Sequence, residues 1–179
     1  MSPYSEPEYL ELFRIIRESD VRFTNLEMSL HDYRGYPAAE AGGTYCVAEL
    51  FMVEELKWAG FNLFARANNH TLDYGHEGLL GTNENLDRAS LVHAGAGGNL
   101  AEARMPAYLD TPAGRVALLS ACSSFASSAR AGHSRPDSLG RPGLSFLRHD
   151  TRYVVDQASL QKIQEVSEIL GFEEQKDAV

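Results

Sequence analysis

The run Ala67-Asn68-Asn69-His70-Thr71-Leu72-Asp73-Tyr74-Gly75 brings an amide, an imidazole and a carboxylate together over a few residues. An amide oxygen is a hard, neutral ligand for a divalent ion. An imidazole beside it can donate to a leaving group or stabilise developing charge, and a nearby carboxylate can orient that imidazole. Asn69, His70 and Asp73 are therefore candidates for a metal and phosphate-ester site. The same residues also suit a helix-capping loop, with Asn68 or Thr71 as the cap and His70 a hydrogen-bonded loop histidine. Residue types alone leave both readings open.

Asn25-Leu26-Glu27 adds a second carboxylate. If its strand neighbours the one before Asn68, Glu27 comes close to Asn69 and can hold or bridge metal. On its own, Glu27 reads equally as a cap or a surface ion pair. Arg130, His133, Arg135, Arg141 and Arg148 cluster in one stretch of an acidic chain, and Gly140-Arg141-Pro142-Gly143 is a stiff turn that aims an arginine. Guanidinium groups suit carboxylates and phosphates, so Arg141, Arg148 and His133 are candidates for holding an anionic substrate. The alternative is a solvated basic loop. Gly95-Ala96-Gly97-Gly98-Asn99 could form a phosphate nest, but it lacks the full dinucleotide fingerprint, so a tight strand-to-helix turn is preferred. His31, His76, His93 and His149 are scattered and read as surface or core histidines.

The elements that must position these residues follow from periodicity. Glu8–Ser19 has apolar residues at helical spacing. Val21–Thr24 alternates as a short strand. Residues 31–43 form a loop, and Thr44 is expected to cap a helix running through Trp58 and closed by Gly60. Phe61–Ala65 is a strand, Glu77–Ala89 a helix, Leu91–Ala94 a strand and Leu100–Arg104 a short helix. A hairpin is expected around Pro112-Ala113-Gly114, then a Ser/Arg/Gly-rich loop over 123–142. A last helix, Ser159–Leu170, ends at Gly171, and 172–179 reads as a frayed tail. This alternation predicts an α/β fold of helices flanking a mostly parallel sheet, plus a β-hairpin, as a single domain over 1–179. The Asn-Asn-His loop then lies at a strand's carboxyl end, where open α/β sheets bind ligands.

With 179 residues, 44% of them hydrophobic and 23% charged, the chain has the composition of a globular domain. A net charge of −9 argues against a nucleic-acid partner, since phosphate contacts need clustered Lys and Arg. Cys46 and Cys122, expected in a helix and at a strand end, read as free, buried thiols. No apolar run approaches a membrane span, and the amino end has no basic-then-apolar leader. As written, the chain reads as soluble and cytoplasmic.

With Asn25-Leu26-Glu27 and the Asn-Asn-His-x-x-Asp-x-Gly element in view, the chain resembles the CapA-like capsule and poly-γ-glutamate synthesis family of the calcineurin-like metallophosphoesterase superfamily. The likeness continues through His93-Ala94-Gly95-Ala96-Gly97, Ala103/Pro106 and Gly114-Arg115-Val116-Ala117-Leu118. The resemblance implies a metallophosphoesterase-like layered sandwich with metals (manganese, iron or zinc) at the strand ends. It implies Asn69 as a metal ligand, His70 as the catalytic histidine and Glu27 in the place of a bridging aspartate, while Asp73 matches the motif's acidic position. The implied substrate is a phosphoester or an anionic polymer such as poly-γ-glutamate, and the implied setting is capsule or envelope metabolism. The family's opening strand ending in Gly-Asp and its later paired histidines have no match here; His133 is at best a substitute. The expectation is a truncated domain, incomplete at both ends, that binds metal weakly or not at all by itself. An unpaired sheet edge would favour self-association or a capsule-machinery partner. The alternative is a non-catalytic capsule-assembly or polymer-binding component with a vestigial metal site.

Overall fold

In a computed structural model that describes residues 5–33, 35–41 and 43–172, the elements run in chain order as α1 (Pro7–Arg17), β1 (Phe23–Asn25), β2 (Ser29–Leu30), β3 (Val47–Ala48), α2 (Phe51–Ala59), β4 (Leu63–Ala65), α3 (Gly75–Arg88), β5 (Val92–Ala94), β6 (Ala96–Gly97), α4 (Leu100–Arg104), β7 (Ala107–Thr111), β8 (Gly114–Leu118), a 3-10 turn at Ser127–Ala129, β9 (Gly143–Leu144) and α5 (Gln157–Leu170). They fall into two compact units divided after Arg148. Helix α5 belongs to the second, with Asp156 capping its start by accepting from the Ser159 N–H (2.7 Å) and Gly171 closing it at φ +71°. Residues 173–179 of the expected tail lie outside the described residues.

The α/β expectation holds. Strands β1, β4 and β5 form a parallel sheet in the order β1-β4-β5, with Asn25, Ala65 and Ala94 aligned at their carboxyl ends. Phe64, central and fully buried, joins Leu26, Leu30, Val53, Leu86 and Leu91 in one core cluster, drawn from the sheet, α2 and α3. A second cluster joins Ala67, Leu100, Ala103, Ala129, Ala131, Leu144 and Phe146. The hairpin forms as expected, with Thr111 opposite Gly114. No helix among the described residues is long and apolar enough to cross a membrane.

Three expectations are corrected. Thr44 caps nothing, because the helix starts at Phe51 and the residues before it are extended. There β3 pairs in parallel with β2, and Cys46 C=O and Ala48 C=O accept from Ser29 N–H (3.0 Å) and His31 N–H (3.2 Å). The non-local ladder wins over the segment's helix-like apolar spacing. Cys46 therefore lies on an extended segment, and both thiols are half-buried, not buried. The 123–142 stretch is also not simply a solvated loop. It buries Ala129 and Ala131, and Ala131 N–H donates to Leu144 C=O (3.1 Å). Gly95–Gly98 serves a turn and helix start: Gly98 N–H donates to Glu102 Oε2 (2.8 Å), and Asn99 Oδ1 accepts from Glu102 N–H (3.1 Å).

Burial holds the imidazoles of His31 and His93 below the ordinary value of 6.5, against weaker opposition from Asp32 and Asp87 respectively; Arg66 adds to the lowering at His93. The unfolded chain therefore protonates these rings at a higher pH than the folded chain does. Their contribution is flat above the unfolded value, and stability falls as pH drops through it toward the folded values. The melting midpoint is expected to fall between about pH 7 and pH 5, and less steeply in His31→Phe, whose ring keeps the edge contact with Tyr74. A His31→Phe profile that parallels the parent's would remove His31 from this account.

Candidate functional site

The carboxyl ends of β1 and β4 are joined by the first asparagine of the pair. Asn68, 5% exposed, donates from Nδ2 to Leu26 C=O (2.8 Å) and Asn25 Oδ1 (3.2 Å), while its Oδ1 accepts from His70 N–H (3.1 Å). Thr71 Oγ1 donates to Arg66 C=O (2.6 Å) and accepts from Asn68 N–H (3.0 Å). The turn is closed on itself by buried hydrogen bonds, and that closure sets where His70 points.

His70 Nδ1–H donates to Asp73 Oδ2 at 2.9 Å. Asp73 is 1% exposed, and Oδ2 also accepts from Cys46 N–H (2.6 Å), whereas Oδ1 is buried without a hydrogen-bond partner. A carboxylate held this way fixes the imidazole's tautomer and orientation. Asn69 and Asp73 line a pocket of about 390 Å³, together with Ala38, Glu40, Leu72 and Ser127. Its walls come from three segments: 38–40, 69–76 and 126–129.

Glu27 is exposed beyond the end of β1, with Oε1 accepting from Asn25 Nδ2 (3.0 Å). It thus emerges from the strand adjacent to the one that leads into Asn69. A carboxylate and an amide are hard oxygen donors. They fit a divalent ion that keeps several waters, since magnesium-like ions are held by few protein oxygens.

The arginines sort differently. Arg141 donates from Nε to Arg130 C=O (3.0 Å), so it secures the loop. Arg148 lies over the Phe146 ring at 5.5 Å, joined there by Arg104 (5.2 Å) and Arg130 (5.7 Å). None of these is among the residues lining the Asp73 pocket, and neither is His133.

Sequence reasoning missed Cys46 and Arg66. Cys46 Sγ, a His70 ring nitrogen and an Asp73 oxygen lie within 4.8 Å of one another. Burial, then the carboxylates of Asp73 and Glu27, push the Cys46 thiol above its ordinary range. The aromatic and β-branched run Tyr45-Cys46-Val47 was the signal for an extended segment. Arg66, fully buried, donates to Met28 C=O (3.3 Å) and Asn83 Oδ1 (3.4 Å), and burial lowers its pKa to about 10. It remains a cation at neutral pH and ties the segment after Glu27 to α3.

A parallel sheet with an Asn-Asn-His turn at its strand ends describes a class of protein, and the comparisons supply the family. The family model described as "Bacterial capsule synthesis protein PGA_cap" matches residues 4–176. The chain belongs to that family. It is 38% identical over 167 residues to two Sinorhizobium fredii proteins, described as uncharacterized proteins y4sH and y4uA, covering 92% of this chain and 36% of each relative. It is 32% identical over 126 residues to the "Capsule biosynthesis protein CapA" of Bacillus anthracis, covering 69% of this chain and 30% of that protein. The chain thus spans about a third of the length of the curated relatives it matches.

Proposed function

We propose that this chain is a CapA-like, metal-dependent hydrolase or transferase domain of capsule biosynthesis, acting on a phosphoester or a polyanionic polymer such as poly-γ-glutamate. The observation that carries the reading is Asp73, buried at the pocket and holding His70 by its Nδ1. Glu27 and Asn69 would hold a manganese, iron or zinc ion, which when bound supplies a Lewis acid for a substrate oxygen. His70, oriented by Asp73, stabilises developing charge or protonates the leaving group. Asn68 and Arg66 act through these residues by fixing the two strand ends. The capsule setting rests on family membership and on the CapA relative's name.

A manganese titration tests it. The protein is expected to bind manganese and gain thermal stability, with Asn69→Ala weakening binding by more than about tenfold. His70→Ala is expected to keep the metal and lose about 10²–10⁴-fold in metal-dependent phosphodiester hydrolysis. No manganese binding, or hydrolysis untouched in His70→Ala, would sink the reading.

A second reading, a non-catalytic polymer-binding component, is favoured by the three guanidinium groups around Phe146. Among the described residues no carboxylate pairs with Arg104, Arg130 or Arg148, whereas Arg14, Arg88, Arg115 and Arg135 are paired. Polymer binding without turnover, unchanged in His70→Ala, would mark this reading.

A further inference from the structure

We infer that Cys46, His70 and Asp73 form a three-ligand site for zinc, beside the pocket that Asp73 lines. A thiol, an imidazole and a carboxylate are the donor types zinc prefers. Three protein ligands with a fourth position left to water or substrate is the arrangement of an open zinc centre. The three donor atoms already lie within 4.8 Å of one another. His70 Nδ1 and Asp73 Oδ2 are 2.9 Å apart, a few tenths of an ångström short of the roughly 3.3–3.6 Å that two tetrahedral ligands at zinc bond lengths of about 2.0–2.2 Å take, so a small opening of this pair admits the ion.

A second, independent observation points to a ligand. Asp73 is 1% exposed, lines the pocket, and keeps Oδ1 buried with no hydrogen-bond partner. A buried carboxylate oxygen left this way carries a desolvation cost that a bound cation removes. Cys46 N–H donates to Asp73 Oδ2 and anchors both ligand residues to each other before any ion arrives.

The site differs in chemistry from the Glu27/Asn69 pair, which offers only hard oxygens, whereas a thiolate and an imidazole favour zinc over manganese. On zinc binding, the Cys46 S–H and His70 Nδ1–H bonds break and Zn–S and Zn–N bonds form; the thiol proton leaves to solvent, while the imidazole takes up a proton at Nε2 and stays neutral. Burial opposes the Cys46 thiolate first, the carboxylates of Asp73 and Glu27 add to that opposition, and a divalent cation at the sulfur reverses the balance. Because His70 and Asp73 would be drawn into coordination, zinc here competes with the role proposed for them above. That consequence alone rests on the catalytic reading; the binding site does not.

The test uses the whole chain and two probes, zinc and cobalt(II), alongside manganese. The parent is expected to bind one zinc with release of the thiol proton, and its cobalt complex to show thiolate-to-cobalt charge-transfer absorption. Cys46→Ser keeps the backbone N–H that bonds Asp73, and is expected to lose that absorption and more than about tenfold in zinc affinity. It should leave manganese binding unchanged. Cys122→Ser and Glu27→Gln are expected to keep the cobalt absorption, while Glu27→Gln weakens manganese. Absence of thiolate absorption in the parent, its survival in Cys46→Ser, or unchanged zinc affinity in Cys46→Ser would overturn the inference. Loss of manganese binding with the zinc signature intact would instead count against the proposed function alone.

Discussion

Asn68→Asp is expected to cost about 2–4 kcal/mol of stability and to remove manganese binding, although Asn68 is not itself proposed as a ligand. The substitution changes little volume. It replaces an amide nitrogen, which donates to Leu26 C=O at 2.8 Å and Asn25 Oδ1 at 3.2 Å, with an oxygen facing two acceptors. At 5% exposure, water cannot take over the lost bonds. The new carboxyl then has poor choices. Ionised, it is a buried charge that accepts from the His70 N–H and, at 3.4 Å, from the Thr71 hydroxyl; protonated, it satisfies one of two acceptors. Either way the strand end carrying Glu27 is released from the turn carrying Asn69 and His70. For a domain whose total stability is about 5–15 kcal/mol, that loss is large. Asn69→Asp, on the pocket wall, keeps a hard oxygen and adds charge, so it is expected to retain manganese binding. Denaturant unfolding and metal titration on both variants check the contrast. An Asn68→Asp protein as stable as its parent, with the same manganese affinity, would refute the assignment of the two asparagines.

The contrast also shows what the sequence makes legible. His70 and Asp73 are three residues apart, so their bond is a property of one turn, and the residue types suffice to suggest it. The adjacency of β1 and β4 stayed conditional in the sequence, because β2, β3 and α2 lie between them in the chain and only the parallel pairing of Asn25 with Ala65 settles it. Which asparagine faces inward could not be read locally, since it depends on Leu26 C=O, a group more than forty residues away. Cys46 was hidden for a related reason. Its segment has apolar spacing that suits a helix, and only pairing with Ser29–Leu30 makes it extended. The arginines show the limit of compositional clustering. Arg130, Arg141 and Arg148 are near in sequence, but Arg141 spends its Nε on a backbone carbonyl while Arg148 and Arg130 share the Phe146 ring with Arg104. Arg66 follows an apolar strand, and nothing nearby in sequence signals that its guanidinium is buried against Met28 C=O and Asn83.

Gly95→Ala and Gly81→Ala are expected to move stability in opposite directions, by about −3 to −5 and about +0.5 to +1 kcal/mol respectively. Gly95 ends β5 at φ +112°, a conformation that costs any residue with a Cβ. A Cβ there would also lie 2.6 Å from Ser120 Oγ, 2.7 Å from Ala67 N and 2.8 Å from Ala67 Cβ. Those neighbours cannot simply move aside. Ala67 N–H donates to Ser120 Oγ (3.2 Å), and Gly95 C=O accepts from Ser145 N–H (2.7 Å), so three segments meet at this glycine. Ala67 is also the first residue of the Asn-Asn-His turn, and displacing it carries the strain into Asn68. Gly95→Ala is therefore expected to weaken manganese binding as well as stability. Gly81 lies within α3 with open space where a Cβ would go, so alanine there only restricts the unfolded chain and favours the helix. Thermal and denaturant unfolding of the two variants, each with a manganese titration, checks both signs. A Gly95→Ala protein that melts with its parent would mean that β5 and the turn after β4 are not in the contact described, and the site would lose the support of its third strand.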